Sequence, residues 1–147
     1  MNKVTDNLHY TAVEVGDWDA LMNHSIIHPV NKQKVEGKIF LKSDLNATGT
    51  EISFNMLPPN TELPYFHFHH KNEETYVIIK GRGQFQVDND CFNISAGSVI
   101  RVAPEGIRGL RNTSNKPLIY MVIQSKENSL EEYSTDDGER IEWSRVW

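Results

Sequence analysis

Cysteine is almost missing from this chain of 147 residues: Cys91 stands alone, so no disulfide can close within it. A lone thiol fits a compartment that keeps thiols reduced, and the fold must rest on packing. A basic stripe is missing too. Fifteen Lys and Arg face 20 Asp and Glu, for a net charge of -5, which argues against the phosphate-tracking surface that nucleic-acid binding needs. Long apolar runs are absent, and residues 1–7 lack the apolar centre of a secretory signal. No internal repeat or low-complexity segment is visible. These absences predict a cytoplasmic protein with neither a nucleic-acid nor a membrane partner. Its length suits one domain able to bury a core without staples.

What is present reads as strands parted by turns. Stretches 50–57, 65–69, 74–80, 83–88, 91–94, 98–103, 107–111 and 117–125 carry strand composition. Asp88-Asn89-Asp90 and Gly81-Arg82-Gly83 supply hairpin turns, while Pro58-Pro59-Asn60 and 104–106 mark rim loops. Ahead of them, 10–15 reads as an edge strand, 17–22 as a short helical turn capped by Asp17, and 37–41 as a further strand. The expected fold is all-β, a jelly roll or barrel whose mouth is a natural ligand site. Residues 1–40 form an arm packing on the barrel, 41–125 the barrel, and 126–147 an acidic connector and tail, all within one domain. Because exposed tryptophan is costly, Ile141, Trp143 and Trp147 are expected to dock on their own barrel or across a two-fold interface.

Residues 65–83 carry the chemistry. On an extended strand, residues two apart share a face, so His67 and His69 can aim at one point while Phe66 and Phe68 turn into packing. Glu74 heads an apolar run ending at Gly81, expected as a central strand antiparallel to the histidine strand that returns its carboxylate beside the imidazoles. Glu73 is the alternative acid if the turn is tighter. Tyr76, two residues beyond Glu74, shares its face. The bland reading of a His-x-His pair is a half-buried couple satisfied by its neighbours. His70 points to the other side, and His9, His24 and His28 lack ligand spacing and read as surface residues.

The run His67-x-His69-x4-Glu74-x6-Gly81 resembles the first motif of the cupins, and the resemblance extends over about residues 40–125. The second cupin motif is present but altered between Gly97 and Asn112. Its histidine is missing: counting back from Asn112 puts Arg108 in its place, whereas counting forward from Gly106 puts Gly109 there. The resemblance implies a double-stranded β-helix barrel, metal-dependent and homodimeric as many cupins are.

Guanidinium has no lone pair for a metal and stays protonated at working pH, so Arg108 cannot be a fourth ligand. His67, His69 and Glu74 remain, a set suited to a divalent ion, with Fe, Mn, Zn and Ni not distinguished and no organic cofactor implied. Arg108 is then a candidate substrate anchor. With Arg101 and Arg111 it would make a local positive cluster sized for one small anion. Arg101 either enters the cavity or caps an exposed face; Ser53 and Asn55 either line a pocket or meet solvent. Two function classes follow. One is a metal-dependent isomerase, lyase or dioxygenase acting on a keto acid or sugar acid, with Arg108 orienting the anion and Tyr76 transferring a proton. The other is a binding or sensing module that keeps the pocket without turnover.

Overall fold

The computed structural model describes residues 2–28, 32–134 and 137–147. The arm opens with a hairpin of β1 (Asn2–Asn7) and β2 (Tyr10–Glu14). A 3-10 segment follows over Trp18–Asn23, with the Asp17 carboxylate accepting from the Asp19 amide at 2.8 Å, the cap expected from the sequence. A small hairpin of β3 (Ser25–Ile27) and β4 (Lys34–Glu36) precedes β5 (Lys38–Phe40) and the one-turn helix α1 (Lys42–Leu45). The barrel strands are β6 (Thr50–Leu57), β7 (Asn72–Lys80), β8 (Arg82–Val87), β9 (Asp90–Ser95), β10 (Val99–Val102), β11 (Arg108–Arg111) and β12 (Leu118–Lys126).

Two antiparallel sheets face each other. One has the order β10-β7-β12-β6-β5 and the other β11-β8-β9. As expected, β7 is central, with Tyr76 opposite Ile100 on one side and Val122 on the other. Its inner face is set by the two-residue period: Glu74, Tyr76 and Ile78 are buried, and Tyr76 meets Phe85 of the facing sheet edge-on at 4.8 Å. Leu57, Ile94, Val102, Leu110 and Leu118 complete this core. The run ends because Gly81 adopts φ +91, where a Cβ would come within 2.4 Å of the Pro117 carbonyl oxygen.

The outer face of the larger sheet is covered as well, which decides where the polar residues of β6 point. Leu21 of the arm is fully buried with Met56 and Ile119, and Val15, Ile39, Phe54 and Ile79 pack against them. Trp18 lies on Phe54 at 4.6 Å between ring centroids. With Phe54 and Met56 claimed by the arm, Ser53 and Asn55 face inward, each 4% exposed. The pocket alternative therefore holds for both.

Of the two placements expected for the tail, the one on its own barrel does not occur. Ile141, Trp143 and Trp147 are 68%, 85% and 98% exposed, so they do not dock on their own barrel. The acidic connector after β12 offers little apolar surface to fold them back, and residues 137–147 form no strand. Among the described residues no helix is long and apolar enough to cross a membrane.

Candidate metal centre

The histidine segment does not pair with β7. Both edges of β7 are already taken by β10 and β12, so residues 61–71 run instead along β11, without forming a continuous strand. The Leu63 amide donates to the Leu110 carbonyl at 3.1 Å, and His67 and Arg108 exchange backbone bonds of 3.2 and 2.9 Å. The His69 amide donates to the Pro104 carbonyl at 2.9 Å. The extended backbone still keeps positions 67 and 69 on one face, and that face looks into the barrel. Phe66 and Phe68 take the other side, but they are 55% and 50% exposed and not packed inward as expected. The Phe66 ring lies over Gly109, where a Cβ would approach it to 2.8 Å.

Glu74 meets both imidazoles. His69 Nε2 is 3.1 Å from Oε1 and His67 Nε2 is 3.4 Å from Oε2. The rings stand perpendicular with centroids 5.3 Å apart, and one ligand atom from each residue falls within a 4.8 Å set. Ligands held at about 2.1 Å from one ion lie roughly 3 to 3.5 Å from each other, so this donor set fits a divalent cation after small rotations. The chemistry fits too: two nitrogen donors and one carboxylate oxygen, with no obligate cation among them. Glu73, the competing acid, leaves the site altogether, accepting from Arg101 Nε at 2.8 Å.

Around the triad, the carboxylate is held on one side. Tyr76 donates its hydroxyl to Glu74 Oε2 at 2.5 Å, and Arg108 donates Nε to the same oxygen at 3.0 Å. This leaves Oε1 turned toward His69, an arrangement in which outer partners orient a ligand oxygen. Burial alone would raise the Glu74 carboxyl, but the His67 and Tyr76 hydrogen bonds and the Arg108 charge together hold it far below the usual carboxylate range. Burial, then the Glu74 charge, pushes the Tyr76 phenol well above its ordinary value. Burial also lowers His69 against the opposing pull of Glu74, which favours the neutral ring that a metal requires.

Several sequence expectations need correction here. Arg108 does point inward, because it lies directly opposite His67 across the bridge. It is nevertheless not among the residues that line the cavity. It is fully buried behind Glu74, and its Nη1 donates to the carbonyls of Pro104 and Gly106 at 3.1 and 2.8 Å. Arg101 lies outside, bonded to Glu73 and to Glu127 at 2.9 Å, and Arg111 grips Gln84 on the outer surface. Salt-bridge and amide partners on three different elements thus disperse the supposed positive cluster. Tyr76 gives its hydroxyl hydrogen to Glu74. His28, read as a surface residue, lines the cavity beside Tyr65, with ring centroids 5.9 Å apart.

The triad forms one wall of a cavity of about 380 Å³. Ser53 and Asn55 stand on its floor, the Asn55 amide donating to Ser53 Oγ at 3.1 Å. Leu57 and Val122 give it an apolar flank. Sequence reasoning missed Lys38, Tyr65, Tyr120 and Gln124, all of which line it. Two of them had a readable signal once β6 was assigned: Lys38 pairs in register with Asn55, and Gln124 follows Val122 by two residues on β12, its amide 3.1 Å from the His69 ring nitrogens.

Comparison with known proteins agrees with this geometry. A family model described as the cupin domain matches residues 54–124. An uncharacterized protein of Methanocaldococcus jannaschii is 33% identical over 76 residues, which span 52% of this chain and 57% of that protein. The crystal structure of a cupin protein from Bacteroides fragilis superposes with a TM-score of 0.68 at 36% identity, covering 71% of this chain and 88% of the other. A predicted oxalate decarboxylase from Thermotoga maritima shares the fold at 24% identity and a TM-score of 0.58, over 70% of this chain and 90% of its own. With its first motif intact, its double-stranded β-helix closed around that motif, and these relatives beside it, the chain belongs to the cupin superfamily.

Proposed function

We propose that this protein holds a divalent metal ion on His67, His69 and Glu74 and uses it to bind a small anionic metabolite, of the keto-acid or sugar-acid class, inside the barrel. The observation that carries the reading is the convergence of three donor atoms within 4.8 Å on the wall of a cavity of about 380 Å³. That volume lies toward the lower end for small-molecule sites, which suits a metabolite and excludes a polymer. When bound, the ion would supply Lewis acidity to an oxygen of the ligand. The protein's part is to orient Glu74 through Tyr76 and Arg108, with Leu57 and Val122 as the apolar side of the cavity.

Metal analysis of the purified protein tests the assignment. Wild type is expected to take up about one equivalent of Mn, Fe, Zn or Ni, and His69→Ala to lose it with little change in fold stability. Glu74→Gln should lose metal while Glu73→Gln, altering a residue tied to Arg101, should not. Full metal content in His69→Ala would reject the triad.

A binding or sensing role without turnover is the second reading, and Tyr76 favours it. The phenol is the nearest acid-base group to the triad, yet it is bonded to Glu74 and pushed up by burial. Screening metal-loaded protein against keto acids and sugar acids separates the two. Binding without product formation is the mark of the sensor.

A further inference from the structure

None of the three arginines near the site presents its charge to the cavity, but one cation does. Lys38, half-buried on β5, lines the same cavity as His67, His69 and Glu74. Its place follows from register: Lys38 lies opposite Asn55 and Phe40 opposite Ser53, so the side chains of 38 and 40 share the face that looks into the barrel. The Lys38 ammonium stands 4.8 Å from the Phe40 ring centroid, which steadies it without neutralising it.

The carboxylates that share its surroundings are engaged elsewhere. Glu51 Oε1 accepts from the Leu41 and Lys42 amides at 3.1 and 2.8 Å. Glu74 is tied to Tyr76, Arg108 and the two histidines. Among the described residues no carboxylate forms an ion pair with Lys38. A half-buried ammonium with no counter-ion is costly, and an anion entering the cavity relieves that cost.

We propose that Lys38 is the anion-binding residue of this cavity, and that its ligand is a small acid with one carboxylate on Lys38 and a second oxygen donor toward the His67, His69 and Glu74 wall. The inference rests on the metal reading for its second contact only. Leu57 and Val122 of the inner face also line the cavity, which suits a ligand whose middle is a short hydrocarbon segment. Burial holds Lys38 below its ordinary range against the opposing charges of Glu74 and Glu51, and an anion beside it would favour the charged form.

The test uses malonate, succinate and glutarate as probes, with neutral succinamide as control, titrated calorimetrically into the Mn(II)-loaded and metal-free full-length protein. Wild type is expected to bind at least one of the dicarboxylates. Lys38→Met should weaken that binding about ten- to hundredfold, and Lys38→Arg should recover part of the loss. Succinamide binding and metal content should not change, and an unaltered melting temperature checks that the variants fold. Dicarboxylate affinity in Lys38→Met within about twofold of wild type overturns the proposal. So does failure of every dicarboxylate to bind wild type in both forms. Should wild type take up no metal while Lys38→Met still abolishes dicarboxylate binding, the triad assignment fails and the role of Lys38 stands.

Discussion

Arg108 sets the charge of the site. It lies opposite His67 and bonds Glu74, so its guanidinium sets a permanent counter-ion beside that carboxylate. Because Arg108 already offsets the Glu74 carboxylate, this site should hold a cation less tightly than one with an unpaired carboxylate. Removing one partner of a buried pair leaves the other uncompensated, which typically costs about 3 to 5 kcal/mol. Arg108→Ala is therefore expected to lower the urea-unfolding free energy of the metal-free protein by about that amount, and to lower it much less with saturating Mn(II), since the ion takes over the charge of the lost guanidinium. Equal losses in the two forms would show that Arg108 supports the fold independently of Glu74. At this scale the sequence was informative wherever spacing alone decides geometry. His67, His69 and Glu74 are in that category. The direction of Arg101 was not, because a strand residue's face depends on register, and Lys38 went unnoticed because a lysine on a three-residue edge strand has no local mark of an interior position.

Strands with strong alternation and a glycine stop were legible as elements, β6 to the residue and β7 within two residues of its start. The partner of the histidine segment was not. Whether residues 65–69 lie against β7 or β11 depends on which sheet edges remain free, and that is fixed by β10 and β12, which lie 20 and more residues downstream. The strands β1, β3 and β4 also escaped notice, being short and mostly exposed, with little apolar period to detect. Gly81 shows the opposite case, in which a single residue type reveals an element boundary. A Cβ there would need φ +91 and would press to 2.4 Å on the backbone oxygen of Pro117, a contact no side-chain rotation relieves. Gly81→Ala is expected to destabilise the protein by about 1 to 3 kcal/mol, read as a lower urea midpoint at constant slope. Gly97→Ala is the control: it has similar φ but open space around its Cβ, so it should cost less. Equal losses would mean that conformational strain alone, and not the Pro117 contact, explains the effect.

At the scale of the whole molecule, the larger sheet is covered on its inner and outer faces but the chain's last residues are not. Trp143, Val146 and Trp147 are 85%, 93% and 98% exposed, and Ile141 stands beside them at 68%. Burying one such side chain is worth about 1.5 to 3 kcal/mol, a driving force toward any apolar surface available to receive them. Their own barrel does not receive them. A second copy of the chain is the occupant we propose, with the tail of each protomer lying on its partner in an isologous, two-fold pair. Light scattering on the full chain is then expected to give twice the mass of one chain. A version ending after Asp137 should remain folded, because neither core cluster includes a residue beyond it, and should fall to the mass of one chain. Trp143→Ser with Trp147→Ser in the full chain should reproduce that fall, which separates loss of apolar contact from loss of length. An unchanged mass in both variants would show that the tail serves no interface, and a full chain that is already monomeric would remove the partner altogether.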